Sequence, residues 1–303
     1  MGVLGRAGAL GVLQALEASL LLDAVGVNAW AAYSIGRRVR AGYSGALIRL
    51  RRSSDNAEAD FGCASGGDWL DEVAVLAWTG SASAFLVSVY EQSGLGLALT
   101  QSTAARQPRL VNAGVIERIG DTGLAATRPG ARYTNQMGLT RSIAWPGGAM
   151  NIAAAQRIAT SSATTQVLLL EGGQLNIYAN RVGNQNDWLS GDGLIKGAGF
   201  NSGQAPQSVI QAPGFADGLP HSHLIRLASS GVDWLTDGTP KAARAGTTLT
   251  GSVGAQTLAL RWGDTEFGNA VTGHLGEIVV WAADLSSSQR DAAIANQRQA
   301  WGT

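Results

Sequence analysis

Strand-length apolar runs separated by turn residues are the feature that most limits the folds open to this chain. Such runs recur from residue 70 onward, among them Phe85 to Tyr90, Leu224 to Leu227 and Thr257 to Arg261. Asp237-Gly238 between strand-like segments indicates a hairpin, because glycine accepts the positive φ of such turns. The 41 glycines and only 15% charged residues favour tight turns over long solvated helices. The sequence therefore predicts a mostly β fold, a two-sheet antiparallel β-sandwich.

Both ends of the chain are expected to be helical. Near the start, four leucines at helical spacing predict a short helix over residues 10 to 22: Leu10, Leu13, Leu16 and Leu20. Near the end, Ser286 and Gln289 have the spacing of a capping box, which predicts a helix that runs to about Trp301. The first helix is too short to be stable alone in water. We therefore expect residues 1 to 22 to form an arm that docks on a partner, and residues 23 to 303 to form one sandwich domain.

Six arginines and three carboxylates lie between residues 27 and 60. The whole chain has no formal net charge and a pI near 6.8, so it offers no surplus positive field to attract nucleic-acid phosphates. Ile48 and Leu50 alternate with Arg49 and Arg51, as in a half-buried strand. We therefore expect internal arginine–carboxylate pairs among six residues: Arg49, Arg51, Arg52, Asp55, Glu58 and Asp60.

The same segment contains a series of short motifs in a fixed order: Ala-Tyr-Ser, Arg-Arg, Ala-Gly-Tyr-Ser-Gly and Arg-Arg-Ser-Ser-Asp-Asn-Ala-Glu. With Val89 to Gly94 and further matches up to residue 112, these motifs resemble the catalytic domain of the alpha-L-arabinofuranosidase B family. The resemblance implies a concanavalin A-like jelly roll, and the strand and helix that end the chain resemble those of laminin-G-like domains. Similar domains occur in tailed-phage and prophage proteins, usually without the enzyme's complete catalytic set.

In a retaining glycoside hydrolase two carboxylates stand roughly 5 to 5.5 Å apart, one as nucleophile and one as acid and base. The resemblance places the acid/base on Asp264, within the stretch from Leu258 to Asn269. It supplies no clear nucleophile, since Glu171 and Asp187 match the family's segment only roughly. The paired cysteines of the family's sugar pocket are also absent, because Cys63 is the only cysteine. These departures predict that the chain is not a hydrolase.

The candidates for a metal site are weaker. His221 and His223 on a strand would share one face, but zinc needs three or four ligands, so we expect ordinary surface or loop histidines. The stretch from Gly183 to Gly193 is rich in oxygen ligands suited to calcium, yet it matches no calcium-loop pattern, and solvated turns explain it equally well. The sequence therefore predicts no metal ion and no cofactor.

Nine tryptophans are many for a chain with five phenylalanines, which raises the question of their use. Three of them lie beside turn-like residues and are candidates for stacking on a sugar ring: Trp145, Trp188 and Trp262. Burial in the core is the open alternative for each, because large aromatic side chains are mostly buried.

The function expected from these features is that of a non-enzymatic tailed-phage virion protein, a capsid decoration, spike or tail-fibre component that binds host glycans. It would be made in the host cytoplasm, form a homo-oligomer and contact other virion proteins at the virion surface through its arm, with no nucleic-acid or membrane partner. The alternative is an arabinofuranosidase-like glycoside hydrolase that acts on host polysaccharide. A third hypothesis is an interaction module of a bacterial surface protein, although the apolar N-terminus has no clean cleavage site for export.

Overall fold

The computed structural model describes residues 19–134, 136–158, 167–172, 175–179, 217–228, 231–240, 255–263 and 272–303. Within these ranges the strands are β1 (Ala31–Ser34), β2 (Ile48–Arg52), β3 (Glu58–Phe61), β4 (Ala84–Val89), β5 (Leu99–Thr100), β6 (Arg109–Asn112), β7 (Val115–Ile116), β8 (Ala131–Tyr133), β9 (Gly138–Trp145), β10 (Met150–Ile158), β11 (Val167–Gly172), β12 (Leu175–Ala179), β13 (Pro220–Ala228), β14 (Gly231–Thr236), β15 (Thr239–Pro240), β16 (Gln256–Gly263) and β17 (Gly273–Trp281). The helices are α1 (Leu21–Val25), α2 (Glu72–Thr79) and α3 (Ser287–Trp301), with short 3-10 turns at Ala104–Arg106 and Leu124–Thr127. None of the helices in these ranges has the length and apolar character needed to span a bilayer.

The described strands pair in antiparallel fashion and form one continuous hydrogen-bonded network. A first group runs β15–β14–β13–β10–β17, and the other edge of β17 pairs with β1 and β8. A second group runs β3–β2–β4–β5–β9–β16–β11–β12. Strand β6 links the two groups, because it pairs with both β4 and β8.

The prediction of a mostly β, antiparallel fold with few helices is confirmed. The two groups of strands share one apolar core, in which Ile225 and Ile278 of the first group join Leu86 and Leu260 of the second. A shared core of this kind is what a sandwich requires. The finer prediction of a jelly roll with two separate sheets is not confirmed, because β6 continues the hydrogen bonding from one group to the other.

Strand β17 lies at the centre of the first group, and all nine of its residues are buried. Successive side chains of a strand point to opposite faces, so a strand covered on both sides reads as a continuous apolar run. Ile278 and Val280 belong to the shared core. Val279 faces the other way and packs in a second cluster with Ile294 of α3 and Val25 of α1. The two terminal helices therefore cover the outer face of β17.

Helix α3 has the boundaries that its sequence predicts. The Ser286 side chain accepts a hydrogen bond from the Gln289 backbone, and the Gln289 side chain accepts one from the Ser286 backbone, which completes the capping box. The helix ends before Gly302, whose φ of 73° is left-handed and suits glycine. Ile294 and Trp301 are both buried, which confirms that this face packs on the strands.

The N-terminal arm is only partly described, since Leu10, Leu13 and Leu16 lie outside the described residues. Leu20 is buried, and α1 begins at the next residue. The predicted domain boundary after residue 22 therefore divides a helix that packs on α3. Leu20 is thus buried within this chain, and the docking role of the arm stays a prediction.

Candidate active site

The two best carboxylate candidates are associated with neighbouring strands. Glu171 belongs to β11, whose backbone places it opposite Ala259 of β16. Asp264 follows Gly263, the last residue of β16, in the sequence, and it lies outside the described residues together with Asp187. The register therefore places Glu171 level with Ala259, five residues before Asp264 in the sequence.

The predicted sugar-stacking tryptophans need correction where the structure describes them. Trp145 and Trp262 are 2% and 0% exposed, and both belong to the shared core. The cause is strand alternation, because Leu258, Leu260 and Trp262 occupy every second position of β16 and all point inward. Neither indole is available to stack on a sugar at the surface. Trp188 lies outside the described residues.

Two of the predicted arginine–carboxylate pairs are present. Arg49 Nε and Nη2 donate to the two carboxylate oxygens of Asp60 at 2.7 and 2.8 Å, across the β2–β3 hairpin. Arg52 binds Asp55 in the same two-pronged way, at 3.0 and 2.7 Å. The Arg52 hydrogen bond lowers the pKa of Asp55 to about 2. All four side chains are partly exposed, so these pairs are surface features and not a buried network.

Arg51 and Glu58 do not form the predicted ion pair, although they are opposite each other in the β2–β3 register. The Arg51 guanidinium donates instead to Gln107 Oε1 at 2.7 Å and to Asn56 Oδ1 at 2.8 Å. It also lies over the Phe85 ring, 5.1 Å from the centroid. Glu58 is exposed and has no ion-pair partner among the described residues.

The most buried ion pair in the described ranges is one that the sequence analysis missed. Arg37 Nε and Nη2 donate to Glu277 at 2.7 and 2.9 Å, and the exposed fractions of the two side chains are 5% and 0%. Arg37 also donates to Asn296 Oδ1, and Gln297 Nε2 donates to Glu277. The network ties the segment after β1 to β17 and α3. A lone glutamate within the apolar run of β17 was the available signal, because a buried charge needs a partner.

The family-like Glu91-Gln92-Ser93-Gly94 motif has a structural role. The Glu91 carboxylate accepts hydrogen bonds from four backbone N–H groups, those of Ala32, Ser93, Gly94 and Gly96, at 2.6 to 3.2 Å. Gln92 accepts from the Val39 N–H and donates to the Arg37 carbonyl. Because these hydrogen bonds join the motif to the backbone of its own turn and of β1, the motif holds that turn against β1. The motifs that carry the resemblance therefore specify the scaffold more than the chemistry.

The histidine pair lies on strand β13, and its ring centroids are 6.0 Å apart, so the two rings do share one face. His221 Nδ1 lies 2.6 Å from Asp237, and its Nε2 lies 3.1 Å from Asp217. His223 is 1% exposed and bonds to Thr236. The expected place at the surface or in a loop is therefore wrong for His223, whereas His221 is partly exposed on the same strand. No group of three or more metal-ligating side chains occurs in the described ranges.

Comparison with known proteins places this geometry in context. Residues 21–129 match the family model described as alpha-L-arabinofuranosidase B, catalytic. One similar solved structure is a mutant GH54 α-L-arabinofuranosidase soaked with 4-nitrophenyl α-L-arabinofuranoside, with 15% identity and a TM-score of 0.63. Another is an arabinofuranosidase complexed with arabinofuranosyl-α-1,2-xylobiose, with 17% identity and a TM-score of 0.59. Each similarity covers 92% of this chain and 64% of the other, so this chain spans less than two thirds of their length. A comparison with curated protein sequences gave no significant match.

These findings confirm the resemblance to the arabinofuranosidase B catalytic domain and overturn the expected function. The prediction of a non-enzymatic virion protein is wrong, because the family match and the similar structures are those of arabinofuranosidases, which favours the alternative instead. Identities of 15 to 17% establish a likeness of fold. This chain is thus similar in fold to GH54 α-L-arabinofuranosidases over nearly all of its length.

Proposed function

We propose that this protein is a glycoside hydrolase that removes α-L-arabinofuranosyl groups from a polysaccharide, with Glu171 as nucleophile and Asp264 as acid and base. The observation that carries the proposal is the likeness of fold to GH54 arabinofuranosidases over 92% of the chain, together with the family-model match over residues 21–129. Glu171 and Asp264 are the candidate carboxylates because β11, which contains Glu171, pairs with β16, whose last residue precedes Asp264 in the sequence.

The outer face of β16 supports the same proposal. Because Leu258, Leu260 and Trp262 point into the core, Ala259 and Arg261 lie on the opposite, partly exposed face. On the neighbouring strand β9, Ser142 pairs with Ala259, and Thr140 pairs with Arg261. Hydroxyl and guanidinium groups are suited to binding the hydroxyl groups of a sugar. A polar surface of this kind therefore adjoins the register position of Glu171.

The proposed reaction is a double displacement at the anomeric carbon. The Glu171 carboxylate attacks that carbon and forms a glycosyl ester, while Asp264 gives its proton to the departing oxygen. Asp264, now ionised, then removes a proton from water, which attacks the same carbon and releases Glu171. The sugar leaves with the anomeric configuration that it had in the substrate.

The two roles are separable by substitution. Glu171→Gln should lower the hydrolysis of 4-nitrophenyl α-L-arabinofuranoside by at least about a hundredfold, because it removes the carboxylate that forms the ester. Asp264→Asn should lower the hydrolysis of an unactivated arabinan by about 10² to 10⁴-fold. With the nitrophenyl substrate, whose leaving group needs little protonation, it should spare kcat/KM but lower kcat, because water is no longer activated in the second step. Glu58→Gln and Asp291→Asn are matched controls, because both residues are exposed. We expect their rates to equal that of the wild type.

Azide distinguishes the nucleophile from the acid and base. In Glu171→Ala, azide would attack the substrate directly and give the β-arabinofuranosyl azide. In Asp264→Ala, it would attack the glycosyl ester and give the α-product. Azide products with the opposite assignment, or rates in both variants equal to those of the controls, would refute the roles proposed here.

A further inference from the structure

A polar cavity of about 460 Å³ lies between β6, β7, β8 and β17, away from the β11–β16 pair. In the strand register, Arg132 of β8 lies opposite Arg109 of β6 on one side and opposite His274 of β17 on the other. These three cationic or titratable residues therefore form one row across the wall of the cavity. The remaining lining side chains are mostly polar and include Asn112, Glu117, Arg118 and Asp121. A wall of this composition is suited to a polar ligand.

The charges of this cavity cancel in pairs, with one exception. Arg109 donates to Glu117 at 2.9 Å, Arg118 Nη2 donates to Glu72 at 2.8 Å, and Arg157 Nη1 donates to Asp121 at 2.8 Å. Arg132, by contrast, has no hydrogen-bond or ion-pair partner among the described residues. The lining therefore has one positive charge that no carboxylate of the described chain offsets.

His274 forms part of the same wall. Its side chain is nine-tenths buried, and its Nε2 faces Glu117 at 3.7 Å. Its Nδ1 is buried and has no hydrogen-bond partner in the described part of the chain. Because Nδ1 has almost no accessible surface, a molecule in the cavity cannot reach it, so Arg132 and not His274 carries the inference.

We propose that this cavity binds a hydroxylated monocarboxylate of about the size of a hexuronic acid, with its carboxylate on Arg132. A planar guanidinium can bind a carboxylate through two parallel hydrogen bonds. One surplus charge matches a monoanion, whereas a phosphate monoester, with a charge of about −1.5 to −2, would be repelled by Glu117 and Asp121. The volume is within the usual range for small ligands of roughly 300 to 1,000 Å³. The hydroxyl groups would reach Asn112 and Asp121.

The direct test is calorimetric titration of the purified chain with three probes: glucuronate, glucose and inorganic phosphate. Glucuronate should bind at one site, and glucose, which lacks the carboxylate, should bind at least about tenfold more weakly, the loss expected for a charge-assisted hydrogen bond. Tighter binding of phosphate than of glucuronate would overturn the assignment to a monocarboxylate. No detectable heat with glucuronate at millimolar concentrations would overturn the site itself.

Substitution locates the site. Arg132→Gln should weaken glucuronate binding by at least about tenfold. Arg106→Gln makes the same change of charge at an exposed arginine and should leave binding within about twofold of wild type. Equal effects of the two variants would refute a specific role for Arg132. Should Arg132→Gln fail to fold, Arg132→Lys keeps the charge but loses the planar fork, and we expect a loss of several-fold. Hydrolysis of 4-nitrophenyl α-L-arabinofuranoside by these variants reports separately on the proposed active site.

Discussion

The buried pair of Arg37 and Glu277 should be among the most consequential contacts for stability in the described chain. Arg37→Met removes both guanidinium hydrogen bonds to Glu277, at 2.7 and 2.9 Å, and leaves that fully buried carboxylate with Gln297 as its remaining donor. An uncompensated buried charge costs roughly 3 to 5 kcal/mol. The matched control is Arg49→Met, which breaks an equally short but half-exposed pair and should cost no more than about 1 kcal/mol.

The assay is urea denaturation followed by tryptophan fluorescence, with the free energy of unfolding obtained by linear extrapolation. The double variant Arg37→Met with Glu277→Leu should recover at least about half of the loss, because it removes the orphaned charge as well as its partner. A loss for Arg37→Met no larger than that for Arg49→Met would show that burial does not decide the strength of this pair. A double variant less stable than the single one would contradict the orphaned-charge explanation.

Two further predictions concern His221 and the cap of α3. Burial acts to lower the pKa of His221, but hydrogen bonds and charges from Asp237 and Asp217 outweigh it, and the pKa is raised from 6.5. A pKa that is raised in the folded state stabilises the protein at pH values below the unfolded-state pKa, and this stabilisation is lost as the pH rises through the folded-state pKa. The Tm of the wild type should therefore fall with pH above about 6.5 relative to the Tm of His221→Gln. Parallel pH profiles of Tm would contradict this. Ser286→Ala removes the side-chain acceptor for the Gln289 N–H and should lower the free energy of unfolding by about 1 kcal/mol in the same urea assay; no change would show that the capping box contributes nothing.

Features that depend on neighbouring residues in the sequence were predictable from it. The Arg49–Asp60 pair spans a hairpin of two adjacent strands, so alternation and proximity were enough to indicate it. The cap and length of α3 likewise depend on residues three apart. The burial of Trp262 was also open to prediction, since it continues the alternation of Leu258 and Leu260. The turn-like residues beside Trp262 do not decide whether its side chain is exposed.

Features that depend on topology could not be predicted in the same way. Arg37 and Glu277 are 240 positions apart, and they meet only because β1 pairs with β17. The association of Glu171 with the strand that precedes Asp264 is of the same kind, because it depends on the pairing of β11 with β16.

The most direct test of the proposed function is the release of 4-nitrophenol from 4-nitrophenyl α-L-arabinofuranoside by the purified wild-type protein. The double variant Glu171→Gln with Asp264→Asn is measured beside it at equal concentration. We expect saturable turnover by the wild type and a rate at least about a hundredfold lower for the double variant. A wild-type rate indistinguishable from that of the double variant would contradict the assignment of this chain as an arabinofuranosidase.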